Sequence, residues 1–200
     1  MNSRVDGHPF RLVNQPAVRS SWLVERSDAM IRVFTIGYEG TDIERFANTL
    51  KLVGVDVLVD VRAVAVSRKK GFSKRALAEH LALLGIEYLH EIGLGDPKDG
   101  RVAARAGDFA RFRSIYGDHL DGILARDSIL RISQVAESRS VCLMCFERDP
   151  SQCHRSMVAD LLKDLGHSVL DLFADHPGRY VGFASKIARR DAREGIAAAE

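Results

Sequence analysis

The stretch that decides the fold is SVCLMCFERDPSQCHRSMVADLLKDLG, residues 140–166. An apolar run, VCLM, enters it. An apolar-periodic run, MVADLLKDL, leaves it. Between them stand two of the three cysteines, a glutamate, a histidine and two arginines. The entering run reads as a strand covered on both faces. The leaving run places Met157, Val158, Leu161, Leu162 and Leu165 at helical spacing, with Gly166 as its stop. The reactive residues therefore sit on a strand-to-helix connection.

The same unit repeats upstream in pattern, though not in sequence. IRVFTIG (31–37) is β-rich. TDIERFANTLKLVG (41–54) is an amphipathic helix with Thr41 or Asp42 as N-cap. VDVLVDVR (55–62) is a nearly continuous apolar run, and SKRALAEHLALLG (73–85) is a helix opened by Ser73 and closed by Gly85. IEYLH (86–90) is a third short strand. Residues 91–107 are Gly-rich and polar, and read as a connection. Phe109, Phe112, Tyr116, Leu120 and Ile123 trace a helical face, SILRISQVAE (128–137) a further one, and HSVLDLF (167–173) a last strand. Strands alternating with helices predict an α/β fold: a single domain with a mostly parallel sheet of about five strands, near 32–36, 56–61, 86–89, 140–146 and 168–172, and helices on both faces. Residues 1–30 lack a clear period and are read as a mobile N-terminal extension. The domain runs over 31–173, and 174–200 is a C-terminal appendage.

The composition sets outer limits. A chain of 200 residues with a net charge of +2 buries a core without disulfide staples, and its global field selects no anionic partner. No apolar run approaches the ~18 residues that span a bilayer, and the first thirty residues lack the apolar centre of a secretory signal. A cytoplasmic protein with reduced thiols is expected. Cys142, Cys145 and Cys153, an odd number within twelve positions, do not suit a disulfide framework.

In parallel α/β sheets ligands bind beyond the carboxyl ends of the strands. Those ends carry Gly37 and Tyr38, Asp60 and Arg62, His90 and Glu91, and Cys145 and Glu147. The amides that open a helix suit an anion, and Arg155 adds a guanidinium there. A thiol at a helix start beside a cation tends towards thiolate, which marks Cys153. Cys145 faces it across the loop, and Glu147 and His154 are acid–base candidates. Cys142, inside the strand, reads as a small core residue. Asp60 and Arg62 either orient an anion or brace loop amides. The segment 62–75 holds six basic residues and no acid, with Phe72 interleaved, and Arg68 is its candidate anion ligand. It suits a phosphate backbone with a base stacked on Phe72, or simply a solvated loop. TIGYEG (35–40) is a glycine turn before a helix but not a P-loop.

The spacing C-x2-C-x7-C-H of Cys142, Cys145, Cys153 and His154 is not a familiar zinc pattern, and residues 142 and 145 of one strand point to opposite faces. No metal site is assigned, although one using Cys153 or His154 with His90 or Glu147 stays open. No cofactor is named. The expected partner is a phosphate-bearing small molecule or a nucleic acid, and not a membrane.

The chain resembles the family catalogued as domain of unknown function 488. The resemblance rests on TIGYEG, on DVR followed by Ser67-Arg68 and Phe72, on Tyr88 to His90, on Leu94-Gly95, and above all on CFERDPSQCHR at 145–155. Ala65 and Asp96 depart from the family's usual proline and glycine. The resemblance implies a fold and no settled activity. DVR after one strand and a Cys-to-Arg loop after a later one are also distantly similar in layout to rhodaneses and cysteine phosphatases. Those enzymes place five residues between Cys and Arg, where Cys145 and Arg155 are separated by nine. Three functions follow as expectations: an enzyme acting on a phosphorylated, nucleotide or nucleic-acid substrate through Cys, His, Glu and Arg; a non-catalytic nucleic-acid-binding accessory protein; or thiol redox or sulfur-transfer chemistry on Cys145 and Cys153.

Overall fold

The computed structural model describes residues 32–183. Five strands form one sheet: β1 (Val33–Gly37), β2 (Val57–Asp60), β3 (Glu87–His90), β4 (Val141–Cys145) and β5 (Val169–Phe173). Their order is β3-β2-β4-β1-β5, and every neighbouring pair is parallel. The expected strands are all present, displaced by a residue or two at their ends. β1, β2 and β4 are buried along their whole length, which is why they read as continuous apolar runs.

The helices divide between the faces as right-handed crossovers demand. α1 (Ile43–Leu52) and α2 (Lys74–Ala82) follow connections that move towards β3, and they cover Phe34, Ile36, Leu58, Cys142 and Met144. The later connections move the other way. They bring α3 (Lys98–Arg105), α4 (Phe109–Leu120), α5 (Ile123–Ala136) and α6 (Arg155–Asp164) to the side of Val57, Val59, Leu143 and Cys145. β4 thus lies between two strands, β2 and β1, whose loops leave for the opposite face. This divergence makes its carboxyl end the switch point of the sheet, the place where such folds bind ligands.

Three local readings change. The polar stretch 91–107 contains α3, which packs antiparallel-hairpin fashion on α4, with Gly100 against Phe112 and Ile115. Ile123 does not continue the face of Phe112, Tyr116 and Leu120; Gly122 breaks the helix, and Ile123 is exposed at the start of α5. Residues 174–183 are not loose: Ala174 and Tyr180 are buried, and the Tyr180 hydroxyl accepts from the Phe173 amide at 2.8 Å. The extension at 1–30 and the end of the appendage lie outside the described residues.

β3 is tied to α5 through Glu91, whose carboxylate accepts from the Ser128 hydroxyl at 2.7 Å and from Arg131 at 2.8 Å. Burial favours the neutral acid, but these donors outweigh it and hold Glu91 below the ordinary value of 4.5. A lowered carboxyl contributes stability above its unfolded pKa and loses it as pH falls through the folded one. Glu91→Gln is therefore expected to be less stable than wild type at pH 7, with the gap closing below about pH 4.5, measured by urea unfolding across pH.

Candidate functional site

Cys145 ends β4 with its side chain on the α3–α6 side of the sheet, while Cys142 faces the other way. The chain then turns sharply over the end of β1. The Glu39 amide donates to the Phe146 carbonyl at 2.9 Å, and the Glu39 carboxylate accepts from the Arg148 amide at 3.0 Å. Gly37 makes this approach feasible, because a Cβ there would overlap the Glu147 carbonyl. The glycine of TIGYEG serves backbone contact rather than a phosphate cradle. Asp149 caps a single turn, Pro150–Gln152, by accepting from the Ser151 amide at 2.9 Å. That turn returns the chain so that Cys153 and His154 stand opposite Cys145.

Four reactive side chains meet there. The Cys145 thiol lies 3.3 Å from a Glu147 carboxylate oxygen and 3.6 Å from His154 Nδ1. Cys153 Sγ is 4.0 Å from the same Nδ1. His154 Nε2 lies 2.8 Å from the Val61 carbonyl, which can only accept, so Nε2 carries the proton and Nδ1 faces the sulfurs. The Tyr116 ring meets the imidazole edge to face at 5.2 Å, with its hydroxyl donating to the Leu94 carbonyl. Cys145, Cys153 and His154 are buried; Glu147 is half-buried and forms the cluster's outer side.

These neighbours pull the protonation states apart. Burial pushes the Cys145 thiol well up, reinforced by Cys153. Burial also acts against ionising Cys153, but hydrogen bonds from Cys145 and His154 and the imidazole's charge bring it well below its ordinary value. His154 resists burial in the same way and is raised to about 9, chiefly by Cys153. Glu147 is pushed up to about 7 by burial and then by Cys153. Both sulfurs lie within reach of Nδ1, so the two thiols and the imidazole titrate together rather than one by one.

A second group stands beside the first at the end of β2. Asp60 is fully buried and accepts from Arg62 through both oxygens, at 2.8 and 2.6 Å. Arg62 also donates to the Tyr38 hydroxyl at 2.9 Å and the Phe72 carbonyl at 3.1 Å. The Tyr88 hydroxyl donates to Asp60 at 2.6 Å, and His90 Nε2 meets the Arg62 carbonyl at 2.9 Å. Asp60, Arg62, Tyr38 and His90, each expected near a ligand, therefore spend their hydrogen bonds on one another and on the backbone. Their effect on the first group is indirect. They fix residues 60–62, and with them the Val61 carbonyl that orients His154.

Arg155, expected to hold an anion, is wholly buried behind the loop. Its guanidinium donates to the carbonyls of Glu147 and Arg148 and to the Thr35 hydroxyl, which in turn donates to Asp171. Phe72 is also fully buried, stacked on Tyr38 at 4.4 Å, and offers no face to a base. Lys69 donates to the Tyr38 carbonyl. Arg68 and Lys70 are exposed and carry no ion pair among the described residues. The structure brings Cys145, Glu147, Cys153 and His154 together, sets Arg155 beneath them, and leaves Arg68 apart on the loop. The Val61 carbonyl and the Tyr116 ring at His154 are parts that no residue pattern announces.

The sequence model of the family described as "Domain of unknown function DUF488" matches residues 42–162, more than half of the chain and all of the CFERDPSQCHR loop. The chain belongs to this family. No curated protein and no solved structure matches it. Among the described residues, no helix is long and apolar enough to cross a membrane.

The burial of Arg155 makes a direct prediction. Arg155→Ala leaves two carbonyls and a hydroxyl in the interior without their donor, and is expected to cost about 3–5 kcal/mol. Arg155→Lys should recover only part, since an ammonium lacks the planar fork. Arg68→Ala should fall within about 0.5 kcal/mol of wild type in the same urea titration.

Proposed function

We propose that this DUF488 protein is an enzyme whose working centre is the cluster of Cys145, Glu147, Cys153 and His154, and that its substrate bears phosphate. One observation carries the reading: four reactive side chains, three of them buried, converge at the carboxyl end of the central strand. Among the described residues no ion pair reaches Glu147, and the hydrogen bonds of the four go to one another and to backbone. Removing such groups from water costs free energy that apolar residues of the same volume would not. Assemblies of that kind collect at functional sites.

Glu147, the half-buried member, meets the substrate and moves its proton. The two thiols and the imidazole act on the reacting atoms from beneath. The phosphate class follows from Arg68 and Lys70, exposed cations on the loop leaving β2 that carry no ion pair among the described residues. Arg62 and Arg155 hold the frame instead.

The test combines turnover of chromogenic phosphomonoesters and phosphodiesters with calorimetric binding of a nucleotide and a single-stranded oligonucleotide. Glu147→Gln is expected to lower turnover by about 10²–10⁴-fold and to leave binding intact. The double variant Arg68→Ala/Lys70→Ala should weaken binding, with less loss at high salt, and keep kcat. Binding without turnover, lost in the double variant and untouched by Glu147→Gln, would assign the protein as a non-catalytic nucleic-acid binder.

A further inference from the structure

We infer that Cys145, Cys153 and His154 form a three-ligand site for a zinc-type divalent cation, with Glu147 beside its open fourth position. The inference rests on the reading of this cluster as the working centre, and supplies what that centre lacks: an electrophile.

The donor set, two cysteine sulfurs that would bind as thiolates and one imidazole nitrogen, is of the borderline-soft kind that zinc selects. The three donor atoms all lie within 4.8 Å of one another, and the cluster is buried. Zinc bonds of about 2.3 Å to sulfur and 2.0–2.1 Å to nitrogen, at a tetrahedral angle, set sulfur and nitrogen about 3.5 Å apart. The structure has 3.6 Å from Cys145 Sγ to His154 Nδ1 and 4.0 Å from Cys153 Sγ. A metal would shorten the two sulfur–nitrogen separations by tenths of an ångström.

His154 is oriented for the purpose. Its Nε2–H is spent on the Val61 carbonyl at 2.8 Å, which leaves Nδ1 facing the two sulfurs, where a metal would take the place of its proton. Metal-binding histidines carry this kind of outer partner as a rule. The Asp60–Arg62 pair holds that carbonyl in place, so the second group of polar residues becomes the outer support of the metal site.

Glu147 is not one of the three mutually close donors, although its carboxylate lies 3.3 Å from Cys145 Sγ. Three protein ligands with a vacant coordination position describe a catalytic centre rather than a structural one. A water bound there would have Glu147 as its base, on the side that reaches solvent.

The experiment uses the full chain, stripped with a chelator under reducing conditions and titrated with Co2+, then with competing Zn2+. One equivalent of Co2+ should give thiolate-to-metal charge transfer in the near ultraviolet and the intense visible bands of tetrahedral cobalt, both erased by Zn2+. Cys153→Ser and His154→Gln should each weaken binding by more than the ~10–100-fold typical of losing an outer-shell partner. Cys142→Ala and Glu147→Gln should keep the bands. Bound Zn2+ should also shield Cys145 and Cys153 from iodoacetamide in the wild type, a readout independent of variant folding. Absence of the bands and of shielding in the wild type would overturn the inference, as would bands that persist in the Cys153 and His154 variants. Turnover of phosphate esters by a metal-free protein would sink the metal alone; cobalt binding without turnover would sink the enzyme reading alone.

Discussion

Arg155 puts a full positive charge where no water reaches it, and the site depends on how that charge is met. A guanidinium in the interior is tolerable only if its donors are matched, and here they fan out to the Glu147 and Arg148 carbonyls and to Thr35 on β1. The loop that carries Glu147 is thereby fastened from below by the first residue of the helix that follows it. Gly37 completes the arrangement, since a Cβ at that position would hold the loop off the strand end. The result is a nine-residue connection with little freedom, in which Cys153 returns to within thiol–imidazole reach of Cys145. A looser loop would leave the sulfurs on opposite sides of open solvent.

The same logic runs through Asp60 and Arg62. Their pairing is bidentate and buried, with Tyr88 and Tyr38 filling the remaining hydrogen-bond capacity. A pair of this kind gives little net stability against an apolar replacement, but it fixes the local backbone. What it fixes is the end of β2, whose Val61 carbonyl selects the His154 tautomer. Arg62 of DVR and Arg155 of CHR thus act as frame, and the proposed chemistry falls to the residues that the frame aims.

The architecture was legible because burial leaves a periodic trace. VDVLVDVR and VCLMC read as two-sided strands and are such, and Cys142 and Cys145 separate to opposite faces as a period of two requires. The strand-end rule pointed to the end of β4, where Cys145, Glu147, Cys153 and His154 converge. What the residues could not declare was the division of labour among them. An arginine that binds a ligand and one that grips carbonyls have the same letter; register and burial decide between them. α3 was hidden because its buried positions are Gly100 and Ala103, too small to mark an apolar face, although Pro97 and Asp99 are ordinary helix-start residues. The proposed cation site was hidden for a related reason. Spacing rules count along the chain, and C-x2-C drew Cys142 into a set from which its strand face excludes it. The trio of Cys145, Cys153 and His154 takes shape only when the Pro150–Gln152 turn folds the loop back.

Burying this trio poses an energetic problem that bears on how the protein is built. Two thiols, an imidazole and a carboxyl within hydrogen-bond reach cannot all hold their preferred charge, and the opposed displacements of Cys145 and Cys153 express that conflict. The surrounding elements supply the compensation. Tyr116 and Leu94 wall the cluster with apolar surface, and α6 packs Val158 and Leu162 against the sheet immediately behind it. The strained group therefore occupies one end of a well-packed layer, and the other ends of the strands carry ordinary turns. Charge conflict confined to the end of β4 leaves the rest of the core free to follow the simple rules by which it was read.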